Sequence, residues 1–240
     1  MYNIIMLINF TRKSIKFSVI LIFFFISLFT LNANTFLENL NWAASGNILF
    51  FTADNGADSD PAPVLPSLGG SLAYQFRKNL RVEFTEDIYF TNYEYNTALG
   101  YPMACNPENR SAFVLGFITG IQLTGFIPLG KSGFVMRIYG GPSADFRFVF
   151  MAIGLKHPSD SADARMQTDA IRKYFWSNGR WFMPVIGVGA DYPINSKLML
   201  GLDIRAWFPL YKLSGKDNAP AKDNWRIGVG IRITPRKQSI

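Results

Sequence analysis

Two period-2 runs set back to back constrain this chain more than any other feature. From Met183 to Lys212 it reads MPVIGVGADYPINSKLMLGLDIRAWFPLYK, with a tight turn at Pro193-Ile194-Asn195-Ser196. After the turn Leu198, Leu200, Leu202, Ile204, Ala206, Phe208 and Leu210 share one face. Lys197, Met199, Gly201, Asp203, Arg205, Trp207 and Tyr211 take the other, because strand side chains alternate. Before the turn Pro184, Ile186, Val188, Ala190 and Tyr192 oppose Gly187, Gly189 and Asp191. An apolar sheet face has to be covered. The sequence has no helical stretch of suitable length to do so, which makes lipid the candidate cover.

The same alternation recurs along the chain. It predicts eight strands at about 40–53, 64–77, 79–91, 111–127, 134–150, 174–192, 197–212 and 225–235. In the first, Trp42, Ala44, Ile48 and Phe50 share a face, and the alternation blurs at Ile48-Leu49-Phe50-Phe51. In the third, Leu80, Val82, Phe84, Ile88 and Phe90 oppose Arg81, Glu83, Thr85, Asp87 and Tyr89. Glu86 falls on the apolar face there, which suggests a bulge or a misread alternation. Gly140-Gly141-Pro142 should bend or bulge the fifth strand. Short turns at 77–79, 128–133 and 193–196 alternate with long loops at 54–63, 92–110, 154–173 and 214–224, and residues 163–171 could form a short helix.

Composition narrows the class. The chain is 49% hydrophobic, 15% aromatic and only 17% charged, yet too interrupted for a helical membrane protein. Residues 1–33 read as a secretory signal peptide: Arg12, Lys13 and Lys16, an apolar run from Phe17 to Leu31, and cleavage after Ala33. Removing it lowers the net charge from +7 to +4, too modest to point to nucleic acid. One cysteine, Cys105, excludes an intrachain disulfide framework and a multi-cysteine metal site.

Eight strands with long and short connections in alternation suit an all-β fold, an eight-stranded antiparallel up-and-down transmembrane β-barrel over residues 34–240. The charged face is rich in glycine, namely Gly69, Gly116, Gly120, Gly187, Gly189, Gly201, Gly228 and Gly230, which suits a crowded lumen. Aromatics of the apolar face gather near strand ends, as interfacial girdles would. Trp42, Tyr74, Phe76, Phe134 and Tyr192 mark the turn end, and Phe90, Phe113, Phe150, Phe182, Phe208 and Trp225 the loop end. The hairpin GVGADYPINSKLMLGLDIRAW (187–207) and the closing WRIGVGIRI (225–233) give the chain its likeness to a known group. It resembles the eight-stranded outer-membrane barrels of the OmpA-like/OmpW superfamily. That resemblance implies a bacterial outer-membrane location with outer-membrane lipid as partner. Such barrels usually finish on an aromatic residue, whereas this chain runs on from Pro235 to Ile240.

The predicted lumen carries Arg81, Arg137, Arg147, Arg205, Arg226 and Arg232 with Glu83, Asp87, Asp145, Asp191 and Asp203. Buried charges are tolerable only when paired or hydrated. Two readings follow: a charge network that fills and stiffens the barrel, or a polar path for small solutes. Resemblance to the OmpW branch implies instead an apolar upper lumen, passage of small hydrophobic molecules and a lateral exit, from which the charged face departs. His157, Ser159 and Asp160 share a Pro-containing loop without an orienting strand, which argues against catalysis, and no cofactor or metal is called for. The function read is therefore envelope structure with limited small-molecule permeation. The alternative is a surface-exposed adhesin or ligand-binding barrel acting through its external loops, where Tyr93, Tyr95, Tyr101, Pro102 and Met103 stand together.

Overall fold

The computed structural model describes residues 39–52, 64–98, 100–130, 133–152, 161–210 and 225–236. In chain order the elements are β1 (Leu40–Thr52), β2 (Val64–Arg77), β3 (Leu80–Asn96), β4 (Tyr101–Ala104), β5 (Ala112–Leu129), β6 (Phe134–Gly141) and β7 (Ser143–Met151). Helix α1 (Ser161–Trp176), β8 (Val185–Pro193), β9 (Leu198–Trp207) and β10 (Trp225–Pro235) follow. The signal segment, His157, Ser159, Asp160 and the loops 54–63 and 214–224 lie outside the described residues.

The strand ladders run in a ring. β10 pairs antiparallel with β1, from Ala44↔Ile233 to Thr52↔Trp225. On its other side it pairs with β9, and β9 with β8. β8 pairs with β6, both β6 and β7 pair with β5, and β5 pairs with β3. β3 pairs with β2, and β2 neighbours β1. β6 and β7 are two halves of one wall strand, parted at Pro142, so the closed wall counts eight strands. β4 stands outside the ring, laid along the loop end of β3. At the break, a Cβ on Gly141 would stand 2.1 Å from the Ile121 carbonyl oxygen, so no side chain fits where the two backbones cross.

Several boundaries differ from the sequence pattern. The strand predicted from residue 174 begins at Val185, because α1 continues to Trp176. The chain then reverses through Asn178 (φ 54°) and Gly179 (φ 71°), left-handed conformations that suit both residues. The strand predicted to reach 212 stops at Trp207, and β3 runs on to Asn96 rather than 91. Glu86 causes no bulge: the β3–β5 register is unbroken from Leu80↔Gly125 to Tyr93↔Ala112. The irregularity in this region lies between Gln75 and Arg77, at the turn.

The polarity of the wall is inverted relative to a soluble barrel. On β10, outward Ile227, Val229, Ile231 and Ile233 are 41–53% exposed, while inward Arg226 and Arg232 are 1% and 8% exposed. On β9, Leu202 is 62% exposed and neighbouring Asp203 5%. Leucine, isoleucine, valine and phenylalanine cover the outside of every wall strand. Water would penalise such a surface at every turn, whereas hydrocarbon matches it. Ring closure also pairs the backbone groups that hydrocarbon cannot satisfy. This is the architecture of a transmembrane β-barrel.

Placing a charge on that surface should therefore be costly. Leu202→Arg is expected to destabilise the barrel in lipid vesicles by about 2–4 kcal/mol, read from the urea unfolding midpoint. Unchanged stability would contradict the lipid-facing assignment.

Candidate functional site in the barrel lumen

Every inward charge among the described residues is buried, and these charges form three stacked layers. At the turn end, Glu83 meets Arg81 at 2.5 Å and Arg232 at 2.9 Å and accepts a hydrogen bond from Thr124 at 2.8 Å. In the middle, Arg137 is shared by Asp191 at 2.6 Å and Asp203 at 3.0 Å. The Tyr139 hydroxyl donates to Asp203 at 2.9 Å. Beside it Arg205 pairs with Asp87 at 2.6 Å and donates to the Asn47 side-chain oxygen, while the Asn47 amide donates back to Asp87 at 2.7 Å. Nearest the loop end, Asp145 receives Arg147, Arg226 at 2.6 Å and the Tyr89 hydroxyl at 2.9 Å.

Glycines set the space for these groups. A Cβ on Gly116 would stand 2.1 Å from the Tyr89 ring, and one on Gly201 equally close to an Asp191 oxygen. The lumen is thus a fitted stack in which a large side chain from one strand lies over a bare backbone on the next.

Apolar residues share the loop-end half of the lumen with these charges. Leu49, Phe51, Tyr89, Ile118, Met183, Val185 and Trp207 form a buried cluster there, with Ile118 between Asp87 and Asp145 in the ladder and Trp207 opposite Arg226. Arg226 lies over the ring of its register partner Phe51 at 4.4 Å, a cation–π contact between the charges and the apolar cluster. The blurred alternation at Ile48–Phe51 is the trace of this cluster in the sequence, since both Leu49 and Phe51 turn inward.

Above it sits α1, packed against β3, β4, β5 and β7. Its buried Ala164, Thr168, Ile171 and Phe175 recur at helical spacing. Ile171 and Phe175 pack on Tyr93, Ala112, Val114 and Val149, the inward-facing residues of the extended wall. Arg147 stacks over Phe175 at 4.1 Å, so the helix is tied to the uppermost charge layer. The mid-lumen void between Ser71, Thr85, Gln122, Tyr139 and Asp203 is about 20 Å³, room for about one water.

All eleven charged residues picked out in the sequence, Arg81 through Arg232, are brought into these layers. The alternation puts Tyr89, Tyr139 and Thr124 on the charged face without counting them in the network, and Asn47 goes unassigned; their inward parity was the available signal. Of the predicted girdle aromatics, Trp42, Phe76, Tyr192, Phe90, Phe150 and Trp225 are exposed on the outer face. Tyr74, Phe134, Phe113, Phe182 and Phe208 are half-buried. Phe113 stacks between Phe90 and Phe150, and Phe208 meets Trp225 edge-on at 4.8 Å. Cys105 lines a cleft of about 440 Å³ with Val64, Pro66, Phe90, Thr91 and Ala104. Among the described residues no group of His, Cys, Asp and Glu side chains is arranged to hold a metal ion.

No family model matches the chain, and no curated protein matches it. Among solved structures it is similar to Neisserial surface protein A, at 12% identity and a TM-score of 0.49, covering 83% of this chain and 97% of that one. It is similar also to the outer membrane protein OprG of Pseudomonas aeruginosa, at 12% identity and 0.49, covering 82% and 95%. Ail, the attachment invasion locus protein of Yersinia pestis, shares 5% identity with a TM-score of 0.42 over 82% and 95%.

The middle layer offers the sharpest test of the network. Arg137→Met leaves Asp191 and Asp203 without their shared cation and should cost about 3–5 kcal/mol in urea unfolding. Adding Asp191→Asn and Asp203→Asn to the same chain should recover part of that loss. A single variant as stable as the parent would show the pairing to be energetically idle.

Proposed function

We propose that the chain is a non-enzymatic bacterial outer-membrane barrel, exported by a cleaved signal peptide, that serves envelope structure and admits small solutes only to a limited degree. The observation that carries this reading is an apolar outer wall around a lumen filled by side chains. Paired charges with an apolar cluster among them narrow the axis, and α1 packs on inward residues at the loop end. One void along the charged stretch has room for about one water. The outward Trp, Tyr and Phe residues at the two rims serve as interfacial girdles. The six lumen arginines exceed the five carboxylates by one, so traffic through a loosened lumen would favour anions.

A second reading, ligand binding at the loop end, is supported by the build of that end. β4 extends the wall, α1 packs beneath it, and the Tyr95 hydroxyl donates to the Gly100 carbonyl at 2.9 Å. A packed crown of this kind can present a fixed surface.

One sample tests the reading. The refolded protein should migrate faster unboiled than boiled in SDS, as closed barrels do. In planar bilayers it should conduct far less than an open pore. Arg205→Ala, which removes the guanidinium between Asp87 and Asn47, should raise that conductance. Large steady conductance steps from the parent protein would overturn the closed-lumen reading.

A further inference from the structure

Among the described residues, Glu86 is the one acidic side chain that the barrel turns toward lipid. Between the two aromatic rims, the outward positions of the described strands are otherwise aliphatic, aromatic or glycine, apart from Thr119 beside it. The unbroken register fixes its place: Gly70 of β2, Glu86 of β3, Thr119 of β5 and Ala144 of β7 lie side by side in one row across four wall strands. Glu86 is six residues beyond Leu80 at the turn end and four short of Phe90 at the loop-end rim. With a tilted strand that is about 15 Å from one rim and about 10 Å from the other, the middle of the hydrocarbon belt.

The Thr119 hydroxyl donates to Glu86 Oε2 at 2.6 Å. That single bond leaves the carboxyl with most of its hydrogen-bonding capacity unused, at a depth where lipid offers no donor. Ionisable groups at this depth are expensive and find partners. The row is also low in relief, because Gly70 and Ala144 flank the polar pair. Leu68, Ile88 and Phe117 border it above, and Leu72, Phe84 and Ile121 below.

We propose that this row is the contact face for a second copy of the chain. A second barrel in the same membrane presents its own Glu86–Thr119 pair at the same depth by construction, which no unrelated surface does. A two-fold axis along the membrane normal sets the two pairs against each other, so carboxyl and hydroxyl groups close on one another by O–H···O bonds away from lipid. The small flanking residues let the walls approach closely enough for those bonds to form.

The proposal rests on the lipid-facing reading of the belt, so the heat-dependent gel shift is scored first, and its loss would indict that reading rather than this one. In a Cys105→Ser background, Ile88→Cys places a thiol beside Glu86, and Val229→Cys places one on β10. Both are reconstituted at high dilution in phosphatidylcholine vesicles and oxidised. Cross-linked dimer should form at Ile88→Cys and not at Val229→Cys. Adding Glu86→Leu should lower its yield by about three- to twentyfold, the range expected for intramembrane polar contacts. If Glu86→Leu lacks the folded band, Ala144→Leu makes the same test by bulk alone. Equal cross-linking at both thiols, or a yield indifferent to the substitution in the folded variant, would overturn the proposal.

Discussion

Closure of the hydrogen-bond ladder between the first and last strands is the constraint on which the rest of this structure depends. β1 meets β10 over nine register pairs, from Ala44↔Ile233 to Thr52↔Trp225. Without that seam the sheet would expose two edges of unpaired N–H and C=O groups to hydrocarbon, which cannot satisfy them. With it, the backbone polarity of the wall is spent within the wall, and side chains alone decide what faces lipid. The ring also fixes parity around its circumference, so one inward residue determines the direction of every other on its strand. The apolar belt and the polar lumen are two consequences of one closure.

Closing eight strands leaves an interior that side chains nearly fill. This chain fills it with arginine and carboxylate, seated over glycine, rather than with leucine. Such an interior is stable only if each charge finds its partner, and the three layers do this with shared ions: Arg137 between two aspartates, Glu83 and Asp145 each between two arginines. Sharing couples the strands, because Arg137 of β6 holds Asp191 of β8 and Asp203 of β9 at once. Toward the loop end an apolar cluster stands among the uppermost charges, and α1 packs on the extended wall, with Arg147 against its Phe175. A lumen so occupied suits a structural barrel better than an open channel.

Much of this was legible in the sequence, and the reasons follow the physics. Period-2 alternation is dictated by the pleat, so inward and outward faces could be read from β9 and β10 residue by residue. Strand ends were less legible, because a strand stops where its neighbour stops. The stretch 174–184 looked like strand by composition but belongs to the last turn of α1 and the reversal through Asn178 and Gly179. Inward apolar residues such as Leu49 and Met183 broke the alternation and hid the apolar cluster of the lumen, since pattern alone cannot tell lumen filling from a lipid face. Glu86 stands out in the pattern as an exception that a bulge or a misread alternation would equally explain. Only the continuous register with β5 shows it to be an outward carboxyl.

The central claim is that the outside of this barrel meets lipid while the inside does not. Spin labels placed one at a time from Ile227 to Ile233 on β10, in reconstituted vesicles, test it most directly. Collisional access to oxygen, which concentrates in hydrocarbon, should peak at residues 227, 229, 231 and 233 and fall at residues 228, 230 and 232. Access to a water-soluble nickel chelate should stay low at the four outward positions. Oxygen access without alternation, or high chelate access at the outward positions, would contradict the account.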